Sequence, residues 1–211
     1  MRLSVWAGAS KKTRLAKERD EATRQEFREA IALVPVDKLI FLDECHFALN
    51  LHRLYGWTVG GGRCCESVPF EKGVKRSVVG AFSLPSDHNP TGLLSLWQKK
   101  GLWNSHTFTL FVAEAVLPVV PPGSVLVLDN ARLHHNLALK QLVEEAGCLL
   151  LFLPPYSPDF NPIEPVWSWI KNKVRAVAPR TDEQRQKEIR TAQQDLPPLA
   201  AYAWFKNCGL I

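Results

Sequence analysis

The sequence predicts an α/β protein, a mixed β-sheet flanked by helices, and two stretches carry that prediction. Gly123 to Leu153 reads as strand, helix, strand: the apolar run Val125 to Leu128, then Asn136 to Ala146 with Leu139, Leu142 and Val143 turned inward, then Cys148 to Leu153. A unit of that length makes a right-handed crossover between parallel strands. Lys38 to Leu84, by contrast, holds apolar runs separated by turn-rich sequence, the pattern of antiparallel strands. A chain of 211 residues, 46% hydrophobic and 22% charged, can bury one sizeable core around such a sheet.

In chain order, Met1 to Arg19 is basic, with Lys11, Lys12, Arg14, Lys17 and Arg19 close together. It reads as an arm that could lie along phosphates, or equally as a solvated charge run. Asp20 to Val34 has helical spacing, with Asp20 as cap, Phe27, Ala30, Ile31 and Val34 toward the body, and Pro35 as the stop. The first half of Lys38 to Leu51 is a buried strand with Asp43 in its middle. An unpaired carboxylate there would cost several kcal/mol, so Asp43 needs a partner. Alternation sends Glu44 and His46 to the opposite face, Glu44 to the far side or the rim, and His46 reads as a core or rim histidine.

Gly60 to Gly62 marks a tight connection, Arg76 to Leu84 a strand, Leu93 to Trp97 a shorter one, and His106 to Val116 a helix closed by Pro118, Pro121 and Pro122. The run Val125 to Leu128 ends at Asp129. Ligands in open α/β sheets sit at the carboxyl ends of the strands, although aspartate is also an ordinary turn residue at such a place.

Leu153 to Lys171 reads LPPYSPDFNPIEPVWSWIK, and its four prolines between Pro154 and Pro162 forbid a helix before Asn161. Asn161 as N-cap and Pro162 as first helical residue would start one there. Ile163, Val166, Trp167, Ile170, Val174 and Val177 then form an apolar stripe, and Glu164, Ser168, Lys171 and Arg175 lie on the other face. Asn161 and Glu164 also have the spacing of a capping box, a purely structural use of the glutamate. Downstream, Thr181 to Gln184 caps a polar helix through about Gln194, and Leu199 to Asn207 forms a short packing helix on Tyr202 and Phe205.

A net charge of +5 suits a polyanionic partner. No apolar run approaches the roughly 18 residues of a membrane span and no signal-peptide core opens the chain, so the expectation is an intracellular protein without a membrane partner. The five cysteines, Cys45, Cys64, Cys65, Cys148 and Cys208, show no CxxC spacing, which reads as free thiols and disfavours zinc. Three acids on rigid elements, Asp43, Asp129 and Glu164, suit hard divalent cations, which take carboxylate oxygens and in pairs clamp a phosphodiester during in-line displacement.

The segments FLDE (Phe41 to Glu44), YG (Tyr55, Gly56), VLDNARLHH (Val127 to His135), LPPYSPDFNPIEPVWSWIK and WFKNCG (Trp204 to Gly209) resemble, in order and over almost the whole chain, the catalytic domain of mariner-type DDE transposases, in their bacterial insertion-sequence branch. The 34 residues between Asp129 and Glu164 are similar to the spacing in that branch. The resemblance implies a ribonuclease-H-like fold, with residues 1–35 as basic arm and linker helix and 36–211 as the catalytic domain. It implies that Asp43, Asp129 and Glu164 hold two divalent ions, Mg2+ or Mn2+, and catalyse cleavage at the element ends and strand transfer into target DNA. Asn130 and His134 would shape the site or touch DNA, and Lys171 and Arg175 would meet phosphates, solvated surface charge being the alternative for Arg175. It further implies a prokaryotic, nucleoid-associated cytoplasmic protein, a homodimer on DNA or a monomer in isolation. Relatives carry a helix-turn-helix part, which this chain is expected to lack. The alternatives are a nuclease of the same fold without joining activity and an inactive DNA-binding remnant.

Overall fold

The computed structural model describes residues 16–53, 56, 58, 60, 62–65, 67 and 73–211. Most of the basic arm, together with Tyr55, Trp57 and Gly61, lies outside the described residues. Helix α1 (Glu21–Ala32) starts where the sequence places it: the Asp20 side chain accepts the Ala22 amide. Strand β1 (Leu39–Phe47) follows, antiparallel to β2 (Arg76–Ser83), which is antiparallel to β3 (Leu93–Lys100). Helix α2 (Ser105–Phe111) is capped by a reciprocal Asn104 and Thr107 pair and continues into one π-helical segment, Val112–Val116. Strand β4 (Val125–Leu128), helix α3 (Leu137–Glu145) and strand β5 (Leu149–Phe152) form the expected crossover.

Strand order is β3-β2-β1-β4-β5, with β1, β4 and β5 parallel. The sheet is therefore mixed, and the carboxyl ends of β1 and β4 open toward the same edge of the molecule. Two strands differ from the sequence reading. β3 runs three residues past Trp97 because it pairs along the whole of β2, and β5 is a half-exposed edge strand rather than a buried one.

Helices cover both faces. Helices α1, α4 (Glu164–Val177), α5 (Asp182–Gln194) and α6 (Pro198–Asn207) pack on one face, where Phe41, Phe47, Val78, Phe82 and Val127 meet Phe27, Val166, Ile170, Ile189 and Phe205. On the other, Leu42, Val79, Ala81 and Leu126 meet Phe108 and Phe111 of α2 and Leu139 and Val143 of α3. The stripe on α4 buries Val166, Trp167, Ile170 and Val174, each contributing roughly 1.5–3 kcal/mol. Val177, read as part of that stripe, is 56% exposed where the helix ends in a left-handed Ala178, and Tyr202 is exposed because α6 buries Ala201 and Phe205 instead.

Three buried arginines tie elements together. Arg185 of α5, fully buried, donates to the carbonyls of Phe47 and Val74, both at 2.8 Å, and to Asp182. Arg76 grips the same aspartate at 2.5 and 2.9 Å. Arg24 of α1 makes two hydrogen bonds to Asp159, at 2.7 and 3.1 Å, and its guanidinium lies 3.9 Å over the Phe160 ring. That contact clamps α1 onto the proline-rich loop. Among the described residues no helix is long and apolar enough to cross a membrane.

Candidate active site

Asp43, Asp129 and Glu164 line one cavity of about 420 Å³, walled by Asn130, the loop from Leu153 to Pro158, and Asn161. Alternation along β1 brings Asp43 out of the sheet on the face covered by α4, where it is 9% exposed. Asp129 is the first residue past β4. Glu164 is the first residue of α4. Among the described residues no group of three Asp, Glu, His or Cys side chains is drawn together at metal-ligand geometry. The three acids share a cavity without forming such a group.

The start of α4 differs from the expected cap. Asn161 ends a short 3-10 turn, Pro158–Phe160, and Ile163 takes the cap position with no side-chain bond. The capping box is not formed, which leaves the Glu164 carboxylate at the cavity. Asn161 is buried, and among the described residues its Oδ1 has no hydrogen-bond partner. Tyr156, exposed on the cavity wall, has φ 56, a left-handed backbone uncommon for a residue with a side chain.

Each acid has its own electrostatics. Burial, and next the charge of Glu164, push the Asp43 carboxyl up to about 8, although the Trp167 indole donates to its Oδ2 at 2.8 Å and pulls the other way. Burial also raises Glu164, with Lys171 opposing and Asp129 adding to the rise. Asp129 goes down. Burial alone would lift it, but His134 and the Ala131 amide, at 2.8 and 2.9 Å from Oδ1, outweigh that.

His134, expected to shape the site or touch DNA, is 1% exposed and cannot reach a phosphate. Its Nδ1 faces Asp129 and its Nε2 faces Oε1 of Glu44 at 3.0 Å, so both nitrogens donate. Burial opposes protonation, yet the two carboxylate bonds push the imidazole up to about 10. Glu44 does lie across the sheet from Asp43, where it serves His134. His46 is exposed at the rim, its Nδ1 2.8 Å from Ser77. Exposed Asn130 ties the two strand ends together by donating from Nδ2 to the Leu153 carbonyl. Lys171 and Arg175 lie half-buried along α4, and Arg175 donates to Asn172.

Trp167 was legible as core, not as a donor to Asp43. Its place depends on Gly80, which pairs with Asp43 across β1 and β2. A Cβ at Gly80 would stand 2.8 Å from Cη2 of Trp167. Gly80→Ala is therefore expected to shift the indole off Asp43 and to cost about 1–3 kcal/mol by overpacking, as read by the urea midpoint. An unchanged midpoint would show that the ring has room to move.

Solved structures share this backbone. The Mos1 mariner paired-end complex with Mn matches with TM-score 0.70 at 16% identity, over 96% of this chain and 64% of that one. The Mos1 paired-end complex with the left transposon end gives 0.69 at 14%, again covering 96% and 64%. The isolated Mos1 catalytic domain gives 0.65 at 13%, covering 93% and 91%. At such identities the likeness fixes the fold, which is ribonuclease-H-like. An uncharacterized protein of Sinorhizobium fredii is 39% identical over 56 residues, 39% of its length. The chain thus spans less than two-thirds of the length of the Mos1 chains in the paired-end complexes and of the Sinorhizobium protein. Residues 38–186, more than half of the chain, match the DDE superfamily endonuclease model, and the chain belongs to that family.

Proposed function

We propose that this chain is the catalytic part of a transposase of the bacterial insertion-sequence branch, which cuts DNA at element ends and joins the freed 3' end to target DNA. One observation carries the reading: three carboxylates from β1, the end of β4 and the start of α4 line a single cavity in a DDE-family chain. The similar Mos1 proteins are seen with transposon-end DNA and with Mn or Mg, which supports DNA and divalent ions as partners here.

The donor set fits such ions. It offers carboxylate oxygens without a cysteine, and the charges of Asp43 and Glu164 oppose one another until a cation neutralises them. Asp43, Asp129 and Glu164 would hold two Mg2+ or Mn2+ ions, which when bound lower the pKa of an attacking water or hydroxyl and stabilise the leaving oxygen. In cleavage, a water oxygen bonds to phosphorus as the bond to the 3' oxygen breaks. In joining, that 3' hydroxyl attacks a target phosphorus and displaces another 3' oxygen. The chain's own groups prepare both steps. Trp167 fixes Asp43, Lys171 and Arg175 offer positive charge to the phosphates along α4, and the unpartnered Asn161 Oδ1 can accept from a water or hydroxyl in the cavity. A protein with this activity works in the bacterial cytoplasm against the nucleoid, and two copies would join paired ends.

Asp129→Asn is expected to lower Mg2+-dependent plasmid nicking and oligonucleotide joining together, on the order of a thousandfold. Nicking without joining by the parent protein would make it a hydrolytic nuclease. Equal nicking by both proteins would remove Asp129 from the site.

A further inference from the structure

We propose that Glu44 and His134 are a positioning pair, set on the sheet face opposite the cavity, that holds Oδ1 of Asp129 and so presents Oδ2 to the divalent cation. The inference rests on the cavity being a cation site, as read above. Its own ground is geometric. Asp129 lies just past the end of β4, with its side chain 49% exposed, so nothing in the strand itself limits its rotation. Oδ1 accepts the Ala131 amide at 2.9 Å and is ion-paired with His134 Nδ1 at 2.8 Å, and among the described residues Oδ2 has no hydrogen bond. One oxygen is anchored and the other is left for a ligand.

The anchor is itself anchored. Nδ1 of His134 is also 3.1 Å from the Asp129 carbonyl, so the ring is fixed against both backbone and side chain of one residue. Its far nitrogen meets Glu44, whose side chain is 11% exposed, and its face lies 4.5 Å from the Phe108 ring. A buried imidazole that needed only hydrogen-bond satisfaction would find a carbonyl sufficient. Here two carboxylates bracket it in an otherwise apolar layer, which is costly unless the charges have a use. β1 thereby serves two of the three acids with successive residues: Asp43 points into the cavity, and Glu44 reaches Asp129 through His134 on the other face.

Groups of this kind around a metal-binding carboxylate change affinity by about 10–100-fold when removed. The test is Mn2+ affinity, by calorimetry or electron spin resonance, of the full chain and of Glu44→Gln, His134→Leu and Phe111→Leu, with thermal stability measured alongside. Glu44→Gln keeps the shape and removes the charge, so it covers the case in which His134→Leu fails to fold. Expected are Kd values weakened about tenfold for Glu44→Gln and up to a hundredfold for His134→Leu. Phe111→Leu, which loosens the same apolar layer away from the His134 ring, should lose stability and keep the parent Kd. The pair is overturned if Glu44→Gln and folded His134→Leu bind Mn2+ within twofold of the parent, or if Phe111→Leu weakens binding as much as Glu44→Gln does. A parent chain that binds no Mn2+ overturns the cation reading itself, and the pair with it.

Discussion

Asp43→Asn is expected to make the metal-free protein more stable at pH 8 while abolishing DNA cleavage. Asp43 ionises near 3.8 in an unfolded chain but is pushed up to about 8 in the fold, by burial first and by Glu164 second. Its folded pKa lies above its unfolded one, so the stability it lends is complete below about pH 4 and is lost as the pH rises through about 8. The slope is about 1.4 kcal/mol per pH unit, and the whole loss is several kcal/mol. His134 shifts in the same direction, but its loss begins only near its ordinary 6.5 and runs to about 10. Urea midpoints in EDTA should therefore fall between pH 4.5 and 6.5 more steeply in the parent than in the variant. Asparagine retains an oxygen for the Trp167 indole, so packing is kept. Mg2+ should restore the parent at pH 8 and leave Asp43→Asn unmoved. Parallel pH curves for the two proteins would show that Asp43 carries no such strain. The acid central to the proposed site is, on this account, a burden on the fold.

The second large effect is structural. Arg185→Met, which keeps most of the side-chain volume, is expected to cost about 3–5 kcal/mol, on the order of 10 °C in Tm. It removes the donors for the Phe47 and Val74 carbonyls, which lie at the end of β1 and just before β2, and one of two arginines on Asp182. Arg76, followed by Arg185, holds the Asp182 carboxyl well below the usual range against its burial. A depressed pKa lends stability above the unfolded value of 3.8 that is lost as pH falls through and below it. Calorimetry at pH 7 and pH 3 should accordingly find the parent and the variant far apart at pH 7 and closer at pH 3. Arg185 does not line the acidic cavity, so Mn2+ affinity of the folded variant should be unchanged. A Tm within 2 °C of the parent at pH 7 would mean that the buried guanidinium is dispensable.

What the sequence made legible follows from how local each signal is. A carboxylate in the middle of an apolar strand, an aspartate ending a four-residue apolar run and a glutamate just past four prolines each stand out against their neighbours, and all three reach one cavity. The strand, helix, strand unit was legible because its parts are contiguous. Contacts between distant residues were not. Trp167 sits at a core position of α4, and nothing in its neighbours shows that its indole N–H meets a residue 124 positions away. His134 lies in a polar, histidine-rich segment that looks exposed, and only the fold shows Glu44, 90 positions earlier, beneath it. The expected Asn161 cap is displaced locally: Pro158 to Phe160 forms its own turn, closed by the Asn161 amide, and the helix starts beyond it with Ile163 at the cap position.

Gly80 beneath the Trp167 ring has one more consequence. A slip of β2 by one position along β1 would slide Val79 or Ala81 under the indole in place of Gly80. Neither has room there. The hairpin is in effect proofread by the bulk of one aromatic ring, and misaligned pairings of the two strands are rejected on volume before any cation is met.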